Sequence, residues 1–137
     1  MSQITIRYEG NDRLRVGIRG HELISDQPIE DGGEDAGPSP TELFVGSLAA
    51  CIAFYAERYL RRHSLPSEGL QVVGSFGFAQ DRPARVGTIR LRLVLPPGVP
   101  VDRHAGLLAV VEHCTVHNTL RQAPEVEIRL EPGVRAA

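Results

Sequence analysis

The two cysteines, Cys51 and Cys114, are the residues of this chain best suited to redox chemistry. Two thiols can alternate between dithiol and disulfide only when their Cα atoms approach within about 4.4–6.8 Å. Cysteine is also among the most frequently buried residue types, so each thiol taken alone is equally compatible with core packing. The sequence leaves the distance between them open, and both interpretations stay open with it.

The predicted positions of the two thiols suit different roles. Cys51 lies in the middle of a predicted helix, where the helix dipole has little effect, so a nucleophilic Cys51 needs a nearby cation. The chain contains no Lys, and that cation must be Arg or a charged His. Cys114 falls at the C-terminal end of a second predicted helix, where the dipole disfavours a thiolate. We therefore expect Cys114 to be the poorer nucleophile and the better resolving thiol.

A zinc site is the alternative use of Cys114, because His104, His113 and His117 lie near it in sequence. One Cys with two or three His side chains can bind zinc. However, His113 and Cys114 are adjacent, and adjacent residues of a helix point about 100° apart. The chain has no CxxC or HExxH spacing, so the metal interpretation is the weaker one.

The elements that must position these residues begin with an N-terminal hairpin. Alternating patterns predict strands over 3–9 and 13–18, joined by the turn residues Gly10-Asn11-Asp12, and a short strand over 21–25. The polar, glycine-rich segment 26–39 is long for a loop of a compact domain, and loops of that length are often functional.

A strongly marked helix follows this loop. Ser39, Pro40 and Glu42 form the pattern of a capping box with proline at the first helical position, which predicts a helix over 40–63. Its first two-thirds are apolar almost all round, so we expect it to be buried on most sides. The remaining patterns predict two strands, a second helix and a last strand, over 70–79, 85–95, 101–113 and 126–130. The predicted fold class is α+β, with helices on antiparallel sheet.

Length and charge limit the function classes. The 137 residues predict one domain, spanning 1–137, and a net charge of −2 gives no general attraction to nucleic acid. The apolar run over 43–56 is shorter than the roughly twenty residues that a membrane span needs. The first residues read as a strand rather than a signal peptide, so we expect a cytoplasmic protein with reduced thiols and neither nucleic acid nor membrane as partner.

Two segments together resemble the signatures of the OsmC/Ohr family, named for osmotically inducible protein C and organic hydroperoxide resistance. The first is Gly37-Pro38-Ser39-Pro40-Thr41-Glu42-Leu43-Phe44, with Cys51 seven positions later. The second is Glu112-His113-Cys114-Thr115-Val116-His117-Asn118-Thr119-Leu120, where Thr115 replaces the commoner proline. The predicted order of elements matches that family over nearly the whole chain.

The resemblance implies a thiol-dependent peroxidase that reduces organic hydroperoxides. It implies an intertwined homodimer with helices enclosed by antiparallel sheets, no bound cofactor, and an external dithiol reductant such as a lipoyl group. Cys51 matches the peroxidatic cysteine and Cys114 the resolving one. A non-catalytic dimer that binds a small apolar ligand in a stress response is the alternative function.

Two further catalytic candidates are carried over from the resemblance. Family peroxidases place a catalytic Glu directly after the proline that starts the helix; here that position is Thr41, and Glu42 follows it. Closing the capping box is a sufficient structural role for Glu42. The family's activating Arg lies in the first hairpin, where Arg13 is the leading candidate, with Arg15 beside it and Arg19 less favoured. A solvent-exposed surface charge is the alternative for each arginine.

Overall fold

The N-terminal hairpin and its third strand form one antiparallel sheet. The computed structural model of the chain describes residues 3–134. Strands β1 (Ile4–Tyr8), β2 (Leu14–Ile18) and β3 (His21–Ser25) pair in that order. The turn between β1 and β2 contains Gly10 and Asn11, both with positive φ, as the turn residues of the sequence predicted. The three predicted strands are confirmed to within about one residue at each end.

This N-terminal sheet has one apolar face that the other described residues do not cover. Ile6 pairs with Val16 and Val16 with Leu23, so the three side chains lie on the same face. Ile6 is 51% exposed, and Ile4 and Tyr8 on the same side of β1 are exposed as well. The buried hydrophobic cluster of the described residues lies elsewhere, so this sheet contributes little to it.

The segment between β3 and the first helix is held by one carboxylate. Asp26 is only 1% exposed. Its oxygens accept the backbone N–H groups of Gln27, Glu34 and Ala36 at 2.7, 3.2 and 3.0 Å. These bonds fold residues 26–39 into a fixed loop that contains a short 3-10 turn at Ile29–Asp31. The loop therefore delivers the start of the next helix to a defined place.

Helix α1 (Pro40–Arg62) is the central element of the fold, and its capping box is confirmed. The Ser39 hydroxyl accepts the backbone N–H of Glu42 at 3.2 Å, and the Glu42 carboxylate accepts the backbone N–H of Ser39 at 2.9 Å. Two of the unpaired donors at the start of the helix are satisfied in this way. The helix ends at Arg62 with His63 as its C-cap, within one residue of the predicted end.

A second sheet packs against α1. Its strands β4 (Gln71–Phe78) and β5 (Val86–Val94) are antiparallel and lie within the two predicted ranges. The buried core is formed between α1 and the helix that follows this sheet, by Ala56, Leu60, Leu107 and Val111. Partly buried side chains of α1 and β5 pack around it.

Two helices replace the one predicted after β5. A 3-10 turn at Val101–Arg103 leads into α2 (His104–Val111), which agrees with most of the predicted helix over 101–113. A separate short helix, α3 (Thr115–Arg121), then begins after a break at Glu112–His113. The sequence analysis did not predict α3. Helices α2 and α3 both contact α1.

The predicted strand over 126–130 is absent from the described part of the chain, where residues 123–134 have no regular secondary structure. Val126, Ile128 and Leu130 alternate as a strand requires, yet Leu130 is 98% exposed. A strand needs a neighbouring strand to pair its backbone N–H and C=O groups, and residues 3–134 supply none at that place. The local pattern was read correctly, but the partner that it needs is missing.

Burial of α1 is also less complete than predicted. Val45, Leu48, Ala56 and Leu60 are buried, whereas the ring of Phe54 is 52% exposed. By length and composition α1 is apolar enough to cross a membrane, a test that the core helix of a globular domain also passes. Here α1 packs against both later helices and the second sheet. Its remaining apolar face is uncovered within a single chain.

Candidate functional site

The fold brings the two cysteines together. Cys51 lies half-buried in α1, and Cys114 lies fully buried directly before α3. The Cys51 side chain lies close enough to Cys114 to contribute to raising the pKa of the Cys114 thiol. The proximity that the sequence left open is thus a feature of this structure, and no disulfide joins the pair.

Burial is the main cause of the raised pKa of the Cys114 thiol, and the neighbouring Cys51 side chain adds to it. The backbone N–H groups of His117 and Val116 act in the opposite direction but do not outweigh burial. Cys114 is therefore a thiol rather than a thiolate at neutral pH. This matches the poorer nucleophile that the sequence predicted.

The reason given for that prediction was wrong. Cys114 is not at the C-terminal end of a helix: it is the N-cap of α3, where its Sγ accepts the backbone N–H of His117 at 3.4 Å. The helix dipole favours a thiolate at this end. The thiol stays protonated because it is removed from water, and this effect is stronger than that of the helix dipole.

A second contact joins the same two helices beside the thiols. The hydroxyl of Tyr55 lies 2.8 Å from the Oγ1 of Thr115. Tyr55 follows Cys51 by one helical turn, and Thr115 follows Cys114 directly. Sequence reasoning missed this pair: the i, i+4 spacing places Tyr55 on the face of Cys51, but nothing in the sequence identifies Thr115 as its partner.

Glu42 lies at the start of α1, apart from the thiols. Nine residues separate it from Cys51, about 13 Å along a helix axis. Its carboxylate is engaged in the capping box, where the backbone N–H of Ser39, and then the Ser39 hydroxyl, lower the pKa of Glu42. The structure thus shows the structural role for Glu42 and does not bring its carboxylate to Cys51.

Arg13 is bound to the 26–39 loop. Its guanidinium lies 3.4 Å from the Glu34 carboxylate and donates to the backbone carbonyl of Glu9 at 3.4 Å. The charge of Arg13 also contributes, after the backbone hydrogen bonds, to lowering the pKa of Asp26. These contacts make Arg13 part of the support of the loop.

Arg15 is likewise paired with carboxylates of its own sheet. It forms ion pairs with Glu9 and, at 2.9 Å, with Glu22, and these partners raise the pKa of Arg15. Arg19 follows β2 at a backbone position with positive φ. Within residues 3–134, no hydrogen bond or ion pair joins Arg13 or Arg15 to Cys51.

The histidines near Cys114 do not form a metal centre in the described residues, which hold no group of three His, Cys, Asp or Glu side chains able to share an ion. The ring of His113 instead contacts the carbonyl of Ala109, with its Nδ1 3.1 Å away. His117 contacts Cys114 through its backbone and not as a paired ligand.

An apolar cavity of about 490 Å³ lies between α1, the second sheet, α2 and α3. Leu48 and Ile52, on either side of Cys51, line it, as do Val111 and His117, on either side of Cys114. Its polar lining comes from Thr88, Glu112 and His117. Neither sulfur is part of the lining within the described chain, although sequence neighbours of both cysteines are. A cavity of this size and character suits a small ligand with a hydrocarbon part.

Comparison with protein-family models places residues 32–129 in the OsmC-like family, and the chain therefore belongs to the OsmC-like proteins. The match includes the capping box, both cysteines and all three α-helices. A sequence search of curated proteins found no match.

Solved structures share this fold. A protein assigned to osmotic stress induction and detoxification response in Psychrobacter arcticus 273-4 has a TM-score of 0.79 at 21% identity, covering 87% of this chain and 88% of its own. The OsmC-like protein of Mycoplasma pneumoniae has 0.75 at 16%, covering 90% and 89%. The organic hydroperoxide resistance protein OhrB of Bacillus subtilis has 0.65 at 16%, covering 90% and 92%. At these identities the likeness shows the α+β fold, in agreement with the predicted class.

Proposed function

We propose that this OsmC-like protein is a thiol-dependent peroxidase that reduces organic hydroperoxides through a Cys51–Cys114 cycle. The contact between the two thiols carries the proposal, because a sulfenic acid on one must reach the other to form a disulfide. Family membership and a fold shared with an organic hydroperoxide resistance protein support it.

The surroundings of the thiols support the assignment of roles. Cys51 is the more accessible of the two, since Cys114 is fully buried and has a raised pKa. A peroxide reaches Cys51 more readily, and attack requires a thiolate. Cys51 is therefore the attacking residue and Cys114 the resolving one. The apolar cavity lined by sequence neighbours of both cysteines suits a hydroperoxide that carries a hydrocarbon group.

The cycle balances in three steps. The Cys51 thiolate attacks the terminal peroxide oxygen, the O–O bond breaks, and a proton gives the alcohol, leaving Cys51 as a sulfenic acid. The Cys114 thiol displaces that hydroxyl as water and forms the Cys51–Cys114 disulfide. An external dithiol then reduces this disulfide by two exchange steps and is itself oxidised to a disulfide. A lipoyl group is a dithiol of suitable chemistry.

Catalysis by Arg13 and Glu42 stays a prediction. Arg13 is joined to Glu34 and the Glu9 carbonyl, and the Glu42 carboxylate is joined to Ser39. A homodimer, in which a second copy covers the exposed apolar surfaces, also belongs to the proposal.

The proposal is tested by intact mass and thiol count of the reduced protein, before and after one equivalent of cumene hydroperoxide. We expect the parent to consume the peroxide, lose both thiols and lose the mass of two hydrogens. Cys114→Ser should gain one oxygen that a dimedone reagent traps, and Cys51→Ser should leave the peroxide intact. Unconsumed peroxide and two intact thiols in the parent would instead favour an apolar-ligand-binding role for the same cavity.

A further inference from the structure

Helix α3 carries the resolving cysteine at its start but has few attachments of its own. It is only seven residues long and contains no buried residue. A helix of that length is not stable alone, so its position depends on contacts with its neighbours. Within residues 3–134, Tyr55–Thr115 is the one side-chain hydrogen bond that ties α3 to another helix or strand.

The Tyr55–Thr115 hydrogen bond lies beside the thiols because each of its residues is close to one cysteine in sequence. Side chains of a helix lean toward its N-terminus, so the ring of Tyr55 covers the turn that contains Cys51. Thr115 is bonded to Cys114 through one peptide group. The hydrogen bond therefore fixes the distance between α1 and the start of α3, and it does so at the residue next to Cys114.

The backbone contact of Cys114 does not do the same. The Cys114 sulfur accepts the N–H of His117, which orients the side chain relative to α3. That contact is internal to the α3 segment and does not itself set the distance of the segment from α1. The Tyr55–Thr115 hydrogen bond at 2.8 Å supplies the missing constraint.

We propose that Tyr55 and Thr115 are positioning residues whose hydrogen bond holds Cys114 within disulfide range of Cys51. The inference rests on the proposed cycle for its biological use, but the effect on disulfide formation is measurable without a peroxide. Thr115 stands where the second signature more often has proline, a residue with no hydroxyl to make this contact. The positioning device is thus a property of this chain's own residues.

The test uses purified full-length protein equilibrated with reduced and oxidised glutathione. The dithiol passes two electrons to glutathione disulfide and becomes the Cys51–Cys114 disulfide, with release of two reduced glutathione molecules. The equilibrium constant reports how well the fold brings the thiols together. The variants are Tyr55→Phe and Thr115→Val, which remove one hydroxyl each, their double variant, and Thr115→Ser, which keeps the hydroxyl.

We expect Tyr55→Phe and Thr115→Val each to lower this constant about two- to tenfold, the range for one net hydrogen bond. The double variant should lose no more than either single one, because both remove the same bond. Thr115→Ser should retain most of the parent value. Thr119→Val is the matched control, since the Thr119 hydroxyl bonds only the Thr115 carbonyl within α3, and it should leave the constant near the parent value.

A kinetic readout separates positioning from general structural damage. In the peroxide reaction, the variants should form the Cys51 sulfenic acid at the parent rate and close the disulfide more slowly, with more sulfinic acid at excess peroxide. Equal constants and closure rates in parent, Tyr55→Phe and Thr115→Val overturn the positioning role. A parent that forms the disulfide in glutathione but leaves peroxide intact overturns the peroxidase proposal alone.

Discussion

At the scale of the residue, Cys114 shows how the effect of burial on a thiol pKa can outweigh that of the helix dipole. Its sulfur caps α3 and accepts a backbone N–H, a setting that favours the charged form. Removal from water disfavours that form more strongly, so the pKa of the thiol is raised. A resolving thiol benefits from this balance. A neutral, buried Cys114 is protected from direct oxidation by peroxide while it remains next to Cys51.

The state of Cys114 is testable in the Cys51→Ser variant, where it is the chain's only cysteine. Burial remains the main cause of its raised pKa after this change. We expect iodoacetamide to alkylate it at pH 7 more slowly in folded protein than in urea, because burial raises the pKa of the thiol and lowers its thiolate fraction. The folded-state rate should rise as the pH passes the ordinary thiol value of about 8.5. Equal rates in folded and unfolded protein at pH 7 would contradict the assignment.

At the scale of the element, the structures whose sequence signals lie within a short stretch of chain were predicted correctly. The hairpin turn at Gly10-Asn11 and the capping box of Ser39 and Glu42 involve neighbours in sequence, and both are present as expected. Helix α3 was missed because its cap is Cys114, whose sulfur is a weak acceptor outside the usual capping residues. The sequence pattern instead predicted that Cys114 falls at the C-terminal end of the preceding helix.

Features that depend on distant partners could not be predicted. The contact between Cys51 and Cys114 and the hydrogen bond between Tyr55 and Thr115 join α1 to a segment that is far away in sequence. The resemblance to a family identified the thiols, but the supporting residues have no local signal. The strand predicted over 126–130 failed for a related reason, because its pattern is local whereas its pairing is not.

Asp26 offers a test of the loop that precedes α1. Three backbone N–H groups, helped by the charge of Arg13, lower the pKa of Asp26 in the folded state. Because the folded pKa lies below the unfolded one, the carboxylate stabilises the fold at neutral pH, and this stabilisation is lost as the pH falls below about 4. We expect Asp26→Asn to lower Tm by several degrees at pH 7, with the gap to the parent closing in acid.

The control for this prediction lies in the same loop. Asp31 is exposed, and no side-chain hydrogen bond of Asp31 occurs among the described residues. Asp31→Asn makes the same chemical change without removing an acceptor from the loop, so its Tm should follow that of the parent at both pH values. A Tm gap for Asp26→Asn that stays constant from pH 7 to pH 3 would show that the charge of Asp26 is not what holds the loop.

At the scale of the whole molecule, three apolar surfaces are left uncovered by residues 3–134 of a single chain. They are the face of β1 and β2 around Ile6, the side of α1 around Phe54, and the alternating residues of 126–130. Exposed apolar surface in several places is unusual for a monomer and typical of an interface. A second copy of the chain is the simplest partner to cover these surfaces, because in a two-fold dimer the same surfaces of both copies form the interface. The unpaired 126–130 segment would then find strand neighbours across the interface.

Sedimentation equilibrium tests this dimer directly. We expect the parent to sediment at twice the chain mass of 15.0 kDa. Ile6→Glu places a charge in the proposed interface once per copy, and a buried unpaired charge is strongly unfavourable, so dimerisation should weaken at least about a hundredfold. Val101→Glu is the control, because Val101 is also exposed but belongs to the 3-10 turn before α2 and to none of these three surfaces. Amides of 126–130 should exchange hydrogen slowly in the parent and quickly in Ile6→Glu.

A parent that sediments as one chain, with fast exchange over 126–130, would remove the dimer from the proposal. The thiol pair, which lies within one chain, would then act without a partner subunit.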